Sequence, residues 1–323
     1  GATGRKMIAA ASDGELYDVG RTPSAITSSA AYSDNLWSWD NFNGYLFGVN
    51  GTDTPWRFDG GSATAATGFT GPTLTSLQTV TQVRDRLWFT LVNSADVYYG
   101  GVGAVTGALT AFQLSQIAPG GKAMDVGAWS RDAGDGADDF TVFVMSTGWV
   151  IVYQGNPATN FSLVGKYQAP PPVGPDCTIQ VGGELVILTV SGPVPVSAII
   201  AGNAYRPEAL GYWGKIAPSW AADYRLYGGN AGWNASFING LVYFVIPTGS
   251  TSNKIYVLNT RNSAWTVYTK IPATMFVEFN GSIYFGGSVS NDVWRHAGGS
   301  DAGASIETVA RQGWTYPTGG KRA

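Results

Sequence analysis

The sequence predicts an all-β protein, a β-propeller of about seven four-stranded blades, and three observations carry that expectation. A turn dipeptide, a short apolar or aromatic strand, a gap and a second aromatic-bearing strand return along almost the whole chain. The spacing, about 40–45 residues, is the period of propeller blades. The composition agrees: 44 glycines and 13% aromatic residues among 323 suit many tight turns and sheets packed through Trp, Tyr and Phe. Finally, no amphipathic helix of three turns stands out, and only Arg206-Pro207-Glu208-Ala209-Leu210 reads as one short turn.

Taken in order, the repeats begin at Asp13-Gly14-Glu15-Leu16-Tyr17 and continue at Asn43-Gly44-Tyr45-Leu46-Phe47, followed by Trp56-Arg57-Phe58. Arg84 to Phe89 leads to Val97-Tyr98-Tyr99, and Asp138 to Phe143 leads to the strand Trp149 to Tyr153. Gly182 to Ile187 leads to Pro193-Val194-Pro195-Val196, Asn239 to Phe244 to Ile255-Tyr256-Val257-Leu258, and Asn280 to Phe285 to Asp292-Val293-Trp294. The three Asn-Gly pairs predict two-residue hairpin turns, because both positions tolerate positive φ and the turn's twist matches the strands. The clearest unit runs Ala235–Ile238, Leu241–Val245, Lys254–Asn259 and Ala264–Thr269, four strands in one blade. On that template the blades fall at 6–33, 36–75, 78–115, 122–168, 175–230, 233–270 and 273–312. The first unit lacks an obvious innermost strand, which leaves open a ring closed by a strand from elsewhere. A six-bladed count follows if the first and last units share one sheet. Residues 1–313 are assigned to the propeller, and 314–323 to a tail or to the start of a further domain. Trp88, Trp129, Trp149, Trp265 and Phe285 are expected between blades.

Charge and cysteine usage narrow the function classes. Only 13% of residues are charged, against about 25% in ordinary soluble domains. Coverage of the surface by other subunits explains this, with a secreted domain carrying long glycosylated loops as the alternative. The net charge of −3 and scattered basic residues argue against a general nucleic-acid binder. Cys177 is the single cysteine, so neither a disulfide framework nor a cysteine metal site is available. No run of about 18 apolar residues is long enough to span a membrane, and Gly1-Ala2-Thr3-Gly4 lacks the layout of a signal peptide.

The search for catalytic chemistry returns little. His296 is the one histidine and reads as a surface or hairpin residue, since no nucleophile motif accompanies it. Carboxylates for glycoside hydrolysis must converge at set separations; Asp125, Asp223 and Glu278 are placed on inner strands or their ends, in different blades. Ser12-Asp13-Gly14 only grazes the sialidase turn and is not repeated. The acidic stretch Asp132-Ala133-Gly134-Asp135-Gly136-Ala137-Asp138-Asp139 has two readings. It is either a hairpin loop using Asp and Gly for turn geometry, or a site where Asp132, Asp135, Asp138 and Asp139 hold a structural Ca²⁺. The long insertion from Gly202 to Asp223 is rich in Tyr, Trp and Pro and is expected to make contacts, through Tyr205, Tyr212 and Trp213, rather than core.

Several segments carry a family resemblance. These are Val83-Arg84-Asp85-Arg86-Leu87-Trp88-Phe89, the run from Ala128 to Asp139, Val142 to Gly155, Phe161 to Tyr167, and Gly183 to Pro195. Over Gln82 to about Gly313 the chain resembles the propeller of the tail nozzle proteins of short-tailed bacteriophages, the tail tubular protein B-like or packaged-DNA stabilisation family. The run Trp-Ser-x-Asp-Ala-Gly-Asp-Gly-x-Asp-Asp is its most specific part. The resemblance implies a structural virion protein without catalytic residues: a nozzle or hub of the tail that retains packaged DNA and gives it a channel for ejection. It further implies a six-fold ring of copies, contacts with a tail adaptor and with fibre, needle or spike proteins, and assembly in the host cytoplasm. Members of that family carry a platform-like region before the propeller and a β-rich region after it. This chain starts almost on a propeller strand, so it is expected to be a core or the ordered part of a longer protein. Two other classes are weighed: a kelch- or lectin-like propeller binding glycan or protein, and a propeller glycoside hydrolase.

Overall fold

The computed structural model describes residues 5–20, 22–26, 32–61, 63–65, 68–132, 137–289, 292–297, 300–301 and 304–305. Its hairpins form where the turn chemistry demands. Asn43 and Gly44 take φ of 46° and 80°, Asn239 and Gly240 53° and 82°, and Asn280 and Gly281 50° and 74°. Two consecutive left-handed residues define the tight turn that lets twisted strands pair directly. Arg84 and Asp85 make the same kind of turn at φ 51° and 55° without glycine, a strain the long flanking strands of that hairpin offset.

Seven small antiparallel sheets form the blades of the propeller, as the repeat predicts. Blade one comprises Ile8–Ala10, Leu16–Asp18 and Ser24–Ala25. Blade two holds Ser38–Phe42, Tyr45–Val49, Trp56–Phe58 and Ala63–Ala65. Blade three holds Leu77–Val83, Arg86–Leu91, Val97–Tyr99 and Thr110–Phe112. Blade four pairs Ala123–Asp132, Ala137–Met145, Trp149–Gln154 and Ser162–Gln168. Blade five has Thr178–Val181, Glu184–Thr189 and Gly192–Pro195. Blade six has Asn234–Ile238, Leu241–Pro247, Asn253–Asn259 and Ala264–Tyr268, and blade seven has Ala273–Phe279, Ser282–Gly287 and Val293–His296. Two corrections follow. Blades one, five and seven have three strands each among the described residues. Blade one also has its own innermost strand, Ile8–Ala10, and is a sheet separate from blade seven, so the six-bladed count fails.

The third departure lies in blade five. After Pro195 the chain turns into the helices Val196–Ile200, Pro207–Ile216 (of 3₁₀ type) and Ala217–Tyr227. The last is an 11-residue helix that the sequence pattern did not predict. Pro218 suits its first turn, where no intrahelical donor is needed. Trp220 anchors it: fully buried, it packs on Trp233 and Phe244 and donates its indole N–H to the Thr189 carbonyl at 2.8 Å. Helices thus cover the side of blade five where other blades carry a fourth strand.

Neighbouring blades are sealed by aromatic and aliphatic clusters. Leu16, Trp37 and Trp56 join blades one and two; Phe47, Phe69 and Phe89 join two and three; Trp88, Phe143 and Ile151 join three and four. A larger cluster through Val142, Val186, Trp220 and Phe244 unites blades four, five and six, and Tyr243, Phe276 and Phe285 join six and seven. Each fully buried large side chain contributes about 2–3 kcal/mol relative to exposure. Trp88, Trp129 and Phe285 are buried as expected, whereas Trp149 and Trp265 are half-buried. Among the described residues no such cluster joins blade seven to blade one.

Candidate functional site

Three regions bear on function: the helical insertion, the channel along the propeller axis and the joint between blades seven and one. In the insertion the predicted contact residues separate. Tyr205 is 59% exposed, and Tyr212 is half-buried with its carbonyl accepting the Trp265 indole N–H at 2.8 Å. Trp213 is buried at 6% exposure in the cluster of blades four to six. As a surface anchor Trp213 is therefore corrected to a core residue: the helix that carries it faces the blades. Leu226, 72% exposed near the end of the last helix, is an apolar surface residue that sequence reasoning passed over.

Asp223 is another correction. It lies on the Ala217–Tyr227 helix instead of an inner strand. There its carboxylate accepts from Lys254 Nζ at 2.7 and 3.0 Å and from the Tyr256 hydroxyl at 2.6 Å. Glu278 is on the inner strand of blade seven and exposed. Asp125, on the inner strand of blade four, has a different set of partners, described below. Asp223 and Asp125 serve separate local networks, and Glu278 stands apart from both on blade seven.

Asp125 belongs to a series of bonds that tie inner strands together. Its Oδ2 accepts the Thr178 N–H and hydroxyl, both at 2.8 Å, linking blades four and five. Between blades two and three, Asp40 accepts the Gln82 N–H and the Ser38 hydroxyl accepts the Val80 N–H. Asn234 donates to the Thr274 carbonyl at 2.7 Å between blades six and seven. Asp176, in the Pro-rich stretch entering blade five, bonds the Ser38 side chain of blade two. That bond bridges the channel. Here the carboxyls lose water and feel one another. Burial and then the Asp176 charge push Asp125 up to about 7. Burial and then the Asp40 charge raise Asp176, and burial raises Asp40. Of these, Asp125 is sealed at 1% exposure, whereas the residue Asp176 is exposed overall although its carboxyl is enclosed between Ser38 and Asp40, so its shift is the weaker guide of the two. The Cys177 thiol is also pushed well up, by burial first and then by Asp125, so it is held as an unreactive thiol.

The acidic stretch of blade four is only partly described. Asp132 ends one strand, and Asp138 and Asp139 sit opposite Arg131 and Ser130 in the next. Asp135 and the side chains of the other three lie outside the described residues, and with them the Ca²⁺ expectation. Among the described residues no group of three or more His, Cys, Asp or Glu is placed to hold a metal ion. Among the described residues no helix is long and apolar enough to cross a membrane. His296 is half-buried, with ring centroids of Tyr243, Tyr268, Phe276 and Phe285 at 6.1, 6.0, 5.9 and 6.4 Å. Burial lowers its pKa, and the surface-histidine expectation gives way to an aromatic packing site.

Between blades seven and one lies a cleft of about 1090 Å³, bordered also by the end of blade six. Within its lining the two blades meet at Gly20 and Phe279. A Cβ on Gly20 of blade one would stand 2.9 Å from the Phe279 ring of blade seven, so the absence of a side chain allows that approach. Tyr17 and Tyr284 line the cleft from opposite blades. Tyr17 donates its hydroxyl to Asp13 at 2.7 Å.

No family model and no curated protein matches the chain. Solved structures do. The WD40 β-propeller domain of Doa1 superposes with a TM-score of 0.50 at 12% identity, covering 90% of this chain and 88% of that one. A protein from Bacteroides uniformis, provisionally assigned as a 6-phosphogluconolactonase, gives 0.51 at 10% identity, with 90% and 94% covered. At such identities the likeness shows the fold alone: this chain is a seven-bladed β-propeller.

Proposed function

We propose that the chain is a structural component of a short-tailed bacteriophage tail, the propeller of a nozzle or hub protein that retains packaged DNA and lets it pass on ejection. One observation carries the reading: the run from Trp129 to Asp139, with the hairpin strands around it, resembles the tail nozzle family. Physical features support it. A propeller is a rigid wall with few free sheet edges. The charged fraction of 13% suits a surface covered by neighbours, and a net charge of −3 keeps phosphate binding weak. Exposed Tyr205 and Leu226 mark the helical insertion as a contact face. In this reading the chain is not an enzyme, and its partners are its own copies in a six-fold ring, an adaptor and the fibre, needle or spike proteins. Image averages of the purified protein and of phage particles carrying a tagged copy test it. A six-fold ring and label confined to the tail are expected. A protein that stays monomeric at all concentrations and is absent from particles overturns the proposal.

A further inference from the structure

We propose that the cleft between blades one and seven binds an uncharged, hydroxyl-rich ligand, an oligosaccharide in chemical class. Among the described residues the joint differs from the others: the remaining joints carry aromatic and aliphatic clusters, whereas this one borders a cleft of about 1090 Å³. That is just above the range of ligand-sized pockets, about 300–1,000 Å³, and leaves volume for more than one sugar ring. The lining selects the chemistry. Tyr17 on blade one and Tyr284 on blade seven offer ring surfaces to the C–H faces of a sugar. Asp13, Asn35 and Asp292 offer acceptors and an amide around them, the pattern that orients hydroxyl groups. Among the described residues the lining has no Lys, Arg or His and carries the carboxylates of Asp13 and Asp292, which repel a phosphate, sulfate or other anion. A purely apolar ligand would strip water from those carboxylates without replacing it.

Hydrogen-bonding capacity at the cleft is also unspent. Asn234 Oδ1 and Ser288 Oγ, both on lining residues, are shielded from water and have no hydrogen-bond partner. Buried polar atoms without partners are costly; these two lie beneath the lining and meet a ligand hydroxyl when the Asn234 amide or the Ser288 hydroxyl rotates towards the cleft. This inference does not depend on the tail reading; it concerns the isolated chain and would stand if the ring were never found.

The test is a glycan array probed with the intact labelled chain. The array carries neutral glucans, mannans, galactans and N-acetylhexosamine oligomers beside sulfated and sialylated glycans. Binding to at least one neutral series is expected, followed by calorimetric titration with the best neutral oligomer. Tyr284→Ala and Asp292→Asn should each weaken that affinity about tenfold, and Tyr284→Phe, which keeps the ring, should stay within about threefold. Asp292 is exposed, so its variant keeps the fold and the result is readable even if Tyr284→Ala unfolds. Silence on all neutral glycans overturns the proposal. So does preference for the anionic glycans, or an affinity unchanged in Asp292→Asn and Tyr284→Phe alike with Tyr284→Ala also unaffected.

Discussion

At the residue scale, two side chains show how much rests on single groups. Trp220 is fully buried and holds the Thr189 carbonyl. Trp220→Ala should cost about 3–5 kcal/mol, read as a fall in the urea midpoint at unchanged slope. Trp220→Phe, which loses the indole donor but keeps a ring, should cost markedly less. The second case is Asp125, whose pKa is raised to about 7 by burial and then by Asp176. A carboxyl with an ordinary value of about 3.9 in the unfolded chain binds more protons when folded between pH 4 and 7. Its contribution is therefore whole below about pH 4 and is lost as pH rises to about 7. Melting temperature should drop across that window. Asp176→Asn should flatten the drop: it removes the neighbouring charge and keeps a bond to Ser38. Asparagine also tolerates the φ of 55° at this position. An unchanged pH profile in that variant would locate the dependence elsewhere. Little of this was legible in the sequence. Asp125 was noticed as a carboxylate on an inner strand, but its meeting with Asp176, itself beside Asp40, arises only when blades two, four and five converge on one axis.

At the scale of elements, the strands were legible and the helices were not. Asn-Gly pairs and runs such as Leu241–Pro247 act through local rules, the positive φ of the turn and the alternation of the strand, so seven hairpins could be placed from residues alone. The insertion obeys no such local rule. Ala217–Tyr227 carries Trp220 and Asp223 on the side towards the blades, but Pro, Ser and Arg interrupt any regular apolar stripe, and packing on blades five and six decides its state. Lys254 and Asp223 report that packing. Lys254→Met should destabilise the protein by about 2 kcal/mol, because the Asp223 carboxylate, at 10% side-chain exposure, loses its counter-charge and keeps only the Tyr256 hydroxyl. Chemical denaturation of Lys254→Met beside the double variant Lys254→Met/Asp223→Leu checks the argument, the double being expected to recover part of the loss. The insertion is also where the tail reading is most exposed to test. Tyr205→Ala with Leu226→Ala, both on exposed side chains, should leave the melting temperature nearly unchanged and produce particles that leak DNA or lack complete tails, since a central anchor is worth about 2 kcal/mol or more.

For the whole molecule, the period of the repeats pointed to seven units, because each needs a neighbour on which to bury its face, and left six or seven blades open until the separate sheets of blades one and seven were seen. It gave no sign that one joint differs. Cluster formation between blades depends on which large side chains meet across a gap, and Gly20 facing Phe279 is not a sequence pattern. Native-state hydrogen exchange should reveal the difference: amides of Ile8–Ala10 and Leu16–Asp18 are expected to exchange before those of Trp149–Gln154, whose blade is packed on both sides. Equal protection in the two would mean that the joint is as tight as the rest. The mechanical corollary is that of a split washer. A closed hoop resists any change in circumference all the way round, whereas a notched one concentrates the change at its notch. Load pressed on the rim by neighbours in an assembly would widen or narrow the gap beside Gly20 and leave the remaining joints in register, so the protein could conform to an imperfectly matched seat without repacking its core.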